Sequence, residues 1–229
     1  MLVCVNGTGS ADWSDAILHE SHVYRFFRHR RSPLKAHFHG LTTLAGNILD
    51  ITDRAWRFLC QHSQGTRIDL VGFSRGAAIA VELAQRLNET GKRKVDFLGL
   101  FDAVDRSALD RTDEIPGNVV RCAHAIRDPN RHSRNFGIDF QNTGRSAASG
   151  VKYREQTFFT THGGIGGACG DALLDVAGNA YGFFLKVANS ANGFDVDVAG
   201  AHTAWSWMVL EARMAGVLDL QLLRSAQGA

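Results

Sequence analysis

Ser74 lies in Gly72-Phe73-Ser74-Arg75-Gly76, a G-x-S-x-G spacing with a glycine two residues to either side of a serine. Before it runs Ile68-Asp69-Leu70-Val71, strand-forming and apolar; after it runs Ala77-Ala78-Ile79-Ala80, good helix sequence. The spacing has a physical reason. A serine on a sharp strand-to-helix turn stands clear of the sheet, and only small neighbours let strand and helix pack that closely. The helix N-terminus lies beneath the hydroxyl, so the Arg75 amide is placed to receive an oxyanion. The chemistry such a serine suits is nucleophilic attack on an acyl carbon.

A serine nucleophile needs a base to take its proton and an acid to orient that base. Asp102 directly follows the apolar run Leu98-Gly99-Leu100-Phe101, which places a carboxylate at the end of a buried strand. Asp105, in the same loop, is the fallback acid. His162 follows the strand-like Gln156-Thr157-Phe158-Phe159-Thr160 and opens the run Gly163-Gly164-Ile165-Gly166-Gly167. Those glycines give the backbone close approach and leave the imidazole room to face Ser74. The order serine, aspartate, histidine is the chain order of one known serine-hydrolase architecture. His202 is the second-choice base, although its place near the last helix suits capping or packing first. A second oxyanion donor is expected at Gly7 or Thr8, in the turn Asn6-Gly7-Thr8-Gly9-Ser10 that ends the first strand.

The remaining histidines take plainer readings. His124, inside a strand-like run, reads as a hydrogen-bonded core residue. His19, His22, His29, His37, His39, His62 and His132 lie in polar surroundings without H-E-x-x-H or similar metal spacing, and receive no role. The loop at 163–167 lacks both G-K-[ST] and the spacing of a dinucleotide fingerprint, so it is no phosphate cradle.

The elements that must position these residues follow a regular rhythm. Strands are expected at 2–5, 35–39, 68–71, 95–101, 119–126 and 155–161. Helices are expected at 15–29, 41–60, 77–87, 171–188 and 201–215, the last with Trp205, Met208, Val209 and Ala212 facing inward. Residues 127–149 are polar and broken. Strands alternating with helices mean βαβ units, a parallel sheet and right-handed crossovers.

Taken together, several phrases resemble a known family. Asn6-Gly7-Thr8-Gly9, Gly72-Phe73-Ser74-Arg75-Gly76-Ala77, Leu98-Gly99-Leu100-Phe101-Asp102-Ala103-Val104, Ala123-His124-Ala125-Ile126 with Arg131, His162 with its later double glycine, and Ala204-Trp205-Ser206-Trp207-Met208 occur in this order. They are similar to the uncharacterised α/β-hydrolase family that includes the Tle-type phospholipase effectors of type VI secretion. The likeness runs from Asn6 to Met208, and Gly-Phe-Ser-Arg-Gly-Ala is its most specific phrase. It implies Ser74 as nucleophile, Asp102 as acid and His162 as base. The chain departs from the family pattern at Asn6, where the family has aspartate. It departs again at His162-Gly163-Gly164-Ile165-Gly166-Gly167, where the family reads His-Ser-Asp-Val-Gly-Gly. The large lid-building insertions of the known effectors are also missing.

Composition bounds the rest. At 229 residues, without a linker, repeat or low-complexity run, the chain suits a single α/β domain over residues 1–229. A net charge of +2 does not point to nucleic acid, and the basic cluster from Arg25 to Lys35 reads as a solvated helix end. The four cysteines include no C-x-x-C pair, and Cys4 and Cys122 read as small buried hydrophobes. This suits a reducing compartment and argues against a zinc site. Met1-Leu2-Val3-Cys4-Val5 lacks a basic leader and reads as a strand, and no apolar run approaches the roughly 20 residues of a spanning helix. A cytoplasmic protein is expected, or one delivered by a dedicated secretion system.

The reading is an α/β-hydrolase-like three-layer sandwich with a mostly parallel central sheet. It is expected to be a serine hydrolase of carboxylic esters, chiefly lipid or phospholipid acyl esters, needing no cofactor and no metal and making at most transient membrane contact. Two alternatives stand beside it. One is a catalytically inactive hydrolase-fold module for binding or assembly, favoured by the altered loop after His162. The other is an esterase or thioesterase for small soluble substrates.

Overall fold

Leu2, Val3, Cys4 and Val5 are four apolar residues in a row, a pattern that only a strand covered on both faces can bury. They form β1 (Leu2–Val5), and all four are buried. The structure, a computed structural model, describes residues 1–7, 19, 21–30, 32–40, 48–62, 65–91, 93–105, 109, 112–130, 142–167 and 194–217. After β1 come α1 (His22–His29), β2 (Lys35–Phe38), α2 (Ile48–His62), β3 (Asp69–Phe73) and α3 (Arg75–Glu89). Then follow β4 (Phe97–Phe101), β5 (Glu114–Ile115), β6 (Arg121–Arg127), β7 (Ser146–Ala147), β8 (Lys152–Phe158), α4 (His162–Ile165) and α5 (Phe194–Met214).

Among the described residues the central sheet has six strands in the order β2-β1-β3-β4-β6-β8, and every neighbouring pair is parallel. β5 and β7 form a separate two-stranded ribbon. Alternate side chains leave the sheet on opposite faces. Val3, Val5, Leu70, Leu98 and Leu100 enter one core with α2 and α3; Leu2, Cys4, Val71, Phe73, Phe97 and Phe101 enter a second core with α1 and α5. That is a three-layer sandwich. Full burial of each large side chain contributes on the order of 1.5–3 kcal/mol, so the two cores rather than the edges fix the strand order.

β1 lies between β2 and β3, so the chain leaves it toward one side and returns past it to the other. Such a switch opens a crevice at the carboxyl ends of the strands, where ligands gather in open α/β sheets. The ends of β1, β3 and β4 carry Asn6, Ser74 and Asp102 to that edge.

Several elements differ from the sequence expectation. The last strand is Lys152–Phe158, earlier than the expected 155–161. It is an edge strand of alternating exposure with Lys152, Arg154 and Glu155 on it, so its polarity hid it. His162 does not follow that strand directly. Phe158 ends the strand, and His162 opens the helical turn α4 under a Thr161 cap. The last helix starts at Phe194, seven residues before the expected 201. Strand β6 covers Arg121–Arg127 in place of 119–126, and β4 begins at Phe97. The expected helix at 171–188, residues 15–18 and 41–47 of two other helices, Arg131 and His132 lie outside the described residues. Among the described residues, no helix is long and apolar enough to cross a membrane. Cys4 and Cys122 are fully buried, as their apolar runs suggest.

Candidate active site

Ser74 joins β3 to α3 with φ 57° and ψ −127°, a backbone conformation that costs on the order of 1–3 kcal/mol for a residue other than glycine. Tertiary contacts hold it there. Its amide donates to the Phe101 carbonyl at 2.9 Å, and its carbonyl accepts the amides of Ala77 and Val104. The hydroxyl caps nothing in α3 and is left for other partners.

The flanking glycines are there for lack of room. A Cβ at Gly72 would stand 2.4 Å from the Gly76 carbonyl oxygen, and one at Gly76 would stand 2.3 Å from that of Val5. A Cβ at Gly7 would lie 3.0 Å from the Ser74 Cβ, so the loop leaving β1 passes directly beside the serine. The Asn6 side chain anchors that loop, accepting the Ser21 hydroxyl at 2.7 Å and lying 3.1 Å from His37 Nε2. Gly7 thus packs directly against Ser74. Thr8, the other expected oxyanion donor, lies outside the described residues. Arg75 is the first residue of α3, where backbone amides point away from the helix and toward the site.

Asp102 directly follows β4 with φ 43°, in the left-handed region that aspartate tolerates better than most residues. Its amide donates to the Ala125 carbonyl at 2.7 Å, tying the turn to the neighbouring β6. The next amide, that of Ala103, donates to His124 Nε2 at 3.1 Å, and His124 Nδ1 donates to the Gly144 carbonyl at 3.3 Å. His124 is the buried, hydrogen-bonded core residue the sequence suggests, and it also shapes the turn that bears Asp102.

His162 lies between the two. Its Nε2 is 2.9 Å from Ser74 Oγ, and its Nδ1 is 2.7 Å from Asp102 Oδ2. These partners assign the tautomer: the proton sits on Nδ1 and is donated to the carboxylate, while Nε2 accepts the serine hydroxyl. The ring packs on Phe73 at 4.8 Å between centroids. Asp102 Oδ1 also accepts Asn142 Nδ2 at 3.2 Å, and Arg127 Nε lies 3.6 Å from Oδ2. Burial alone would raise the Asp102 pKa, but the His162 hydrogen bond, followed by the charges of His162 and Arg127, holds it below the usual carboxylate range. The carboxylate therefore stays ionised against the imidazole.

The structure brings together Ser74, Asp102 and His162, with Gly7 and Arg75 beside them. The two fallbacks lie elsewhere. Asp105 accepts the Thr112 hydroxyl at 2.7 Å, and His202 is exposed on α5. His22, assigned polar surroundings from the sequence, is instead buried: its Nδ1 is 2.9 Å from the Ile165 carbonyl, and its ring packs on Phe101 and Trp205. The basic cluster is also partly engaged, since Arg30 pairs with Asp69 and Lys35 Nζ donates to the Phe27 and Arg30 carbonyls. Sequence reasoning missed Asn142, Arg127 and Asp197, the last a buried residue of α5 under the His162 turn.

A parallel six-stranded sheet between helical layers, with a strained serine where the central strand meets its helix, settles the architecture. The fold is α/β-hydrolase-like. No family model and no curated protein matches the chain. Among solved structures, it is similar to an uncharacterised protein from Pseudomonas aeruginosa, at 12% identity and a TM-score of 0.42 over 92% of this chain. The chain spans 50% of that protein's length. It is also similar to the NocB thioesterase domain from the Nocardicin cluster, at 12% identity and a TM-score of 0.42 over 78% of this chain and 94% of that one. A third is RedJ-Thioesterase from the prodiginine biosynthetic pathway in Streptomyces coelicolor, at 10% identity and a TM-score of 0.40 over 82% and 85% of the two chains.

Proposed function

We propose that the protein is a serine hydrolase that cleaves carboxylic esters through Ser74, His162 and Asp102. The observation that carries the reading is the unbroken hydrogen-bond line from Ser74 Oγ to His162 Nε2 at 2.9 Å and from His162 Nδ1 to Asp102 Oδ2 at 2.7 Å. Ser74 Oγ attacks the acyl carbon while His162 Nε2 takes its proton. The carbonyl oxygen becomes an oxyanion, received by the Arg75 amide and by one from Gly7 or Thr8. Collapse breaks the bond to the leaving alkoxide, which takes the proton from His162. Water then gives a proton to His162 and attacks the acyl-serine, and its collapse returns the proton to Ser74 Oγ and frees the carboxylic acid. Asp102 keeps the imidazole in the right tautomer and offsets its charge while it is protonated.

For the substrate we favour a lipid or phospholipid acyl ester, on the strength of the phrases shared with the phospholipase-containing family. A thioester of the same acyl group would be opened by the same steps. The alternative of an inactive binding module is disfavoured by the preserved line of hydrogen bonds, since a scaffold gains nothing from a strained serine aimed at an oriented imidazole.

The test is labelling with a fluorophosphonate, which reports an activated serine without knowledge of the substrate. The adduct is expected on Ser74 in the wild type and absent in Ser74→Ala. A folded wild type that stays unlabelled, with and without phospholipid vesicles, would overturn the proposal. Hydrolysis of a matched phospholipid, p-nitrophenyl ester and acyl thioester then ranks the substrate classes.

A further inference from the structure

The turn that carries His162 is held by a carboxylate from the last helix. Asp197, buried on α5, accepts the Thr160 hydroxyl at 2.6 Å, the Thr161 amide at 2.5 Å and the Thr161 hydroxyl at 2.8 Å. Thr161 is the cap of α4, and its hydroxyl oxygen accepts the Gly164 amide at 3.1 Å. A hydroxyl has one proton to give. With that proton committed to Asp197, a lone pair of Thr161 Oγ1 is aimed at Gly164, and the cap has one orientation. His162 is the first residue after this cap.

The space around the carboxylate points the same way. A Cβ at Gly164 would stand 2.0 Å from Thr160 Oγ1 and 3.1 Å from both Asp197 carboxylate oxygens. A Cβ at Gly200, one turn beyond Asp197, would stand 2.4 Å from the Phe159 carbonyl oxygen. Helix α5 and the His162 turn therefore meet backbone to backbone, with Thr160 Oγ1, backed by the Asp197 carboxylate that it contacts, filling the space where a side chain at residue 164 would begin.

We infer that Asp197 is the positioning residue that keeps the His162 imidazole in line between Ser74 and Asp102. The inference rests on the serine-hydrolase reading of the site. Asp197→Asn keeps the volume but turns an amide donor toward either the Thr161 amide or the Thr161 hydroxyl, so one of these two donors loses its carboxylate acceptor, whereas the Thr160 hydroxyl still has the residue 197 carbonyl at 3.0 Å. A base displaced by even about 1 Å loses rate on the order of 10²-fold.

The experiment measures three quantities on the full chain: the rate of fluorophosphonate labelling at Ser74, kcat and KM for a p-nitrophenyl ester, and the low-field proton resonance of His162 Nδ1–H. Asp197→Asn is expected to slow labelling and kcat by about 10- to 100-fold, leave KM within about threefold, and shift or broaden the resonance. Thr161→Val, which removes the hydroxyl at nearly constant volume, is expected to act in the same direction, and Thr161→Ser to restore most of the rate. If Asp197→Asn does not fold, the Thr161 pair decides. A folded Asp197→Asn or Thr161→Val with wild-type labelling, kcat and resonance would overturn the inference alone. A wild type that does not label at Ser74 overturns the hydrolase reading and this inference with it.

Discussion

The first turn of α3 rests directly on the end of β1: a Cβ on Gly76 would stand 2.3 Å from the carbonyl oxygen of Val5. This contact brings the loop at Asn6 and Gly7 beside Ser74, so the proposed nucleophile and a proposed oxyanion donor share one short backbone junction. Gly40 seals it from the other side, since its Cβ would collide with the Gly7 carbonyl.

Gly76→Ala is therefore expected to cost more than its one added methyl group suggests. Backbone, not a flexible side-chain end, is what the new Cβ meets, so α3 has to lift from β1. Overpacking of this kind costs about 1–3 kcal/mol. Urea unfolding should show a lower midpoint at constant slope, and ester turnover should fall at temperatures where the variant is fully folded. An unchanged midpoint and unchanged turnover would mean that the junction is looser than the geometry states.

Asp102→Asn tests the other end of the hydrogen-bond line. An asparagine there is able to offer its NH₂ to His162, which favours the tautomer with the proton on Nε2, facing Ser74. The serine then has no acceptor for its proton. Turnover is expected to fall by about 10³- to 10⁴-fold with little change in KM. Ser74→Ala should lose about 10³- to 10⁶-fold. Steady-state kinetics on one p-nitrophenyl ester checks both, and a variant within tenfold of wild type would remove its residue from the proposed mechanism.

What was legible in the sequence was local. The buried strands β1, β3 and β4 announce themselves as unbroken apolar runs, and Ser74 and Asp102 are read from the turns that follow two of them. His162 is legible from its glycine-rich surroundings, but the glycines do more than leave the imidazole room: Gly164 and Gly166 also make way for α5 and Phe73. Asn142, Arg127 and Asp197 were not legible because their roles depend on which distant segments meet; Arg127 follows the phrase Ala123-His124-Ala125-Ile126, but nothing in that phrase ties it to Asp102. Asp197 had one faint signal, the small-residue face formed with Gly200, Ala201 and Ala204 at helical spacing. The edge strand β8 was displaced for a related reason, since half-exposed strands alternate in polarity and its charges resemble a loop.

The choice between histidines is open to direct test. His202 is exposed on α5, whereas His162 Nε2 already lies 2.9 Å from Ser74 Oγ. His202→Gln is expected to retain turnover within about twofold, as surface substitutions usually do. His162→Gln should fall to the residual level of Ser74→Ala, because the two residues act as a unit. Turnover that survived in His162→Gln and vanished in His202→Gln would reverse the assignment.

Stability should decline in mild acid, and the sign follows from three histidines. Burial, then the nearby Arg25 charge, lowers the His22 pKa from 6.5 to about 3. Burial lowers that of His124 to about 4 against the opposing pull of Asp102 and Glu155, and burial with His39 lowers that of His37 to about 4. At pH 7 these rings are largely neutral both folded and unfolded, so they contribute little pH dependence there. As pH falls below 6.5 the unfolded chain takes up protons that the folded one refuses, and stability drops until the folded pKa values are reached. For the fully buried His22 and His124 the loss at pH 5 is on the order of 2 kcal/mol each. Protonation of Asp102, whose folded pKa is depressed, removes further stability only at still lower pH. Urea midpoints measured from pH 7.5 to pH 5 should fall steadily, while NMR signals of the His22 and His124 rings stay in their neutral positions down to pH 5. A flat midpoint, or rings that titrate near pH 6.5 in the folded protein, would contradict the burial that places His124 behind the Asp102 turn.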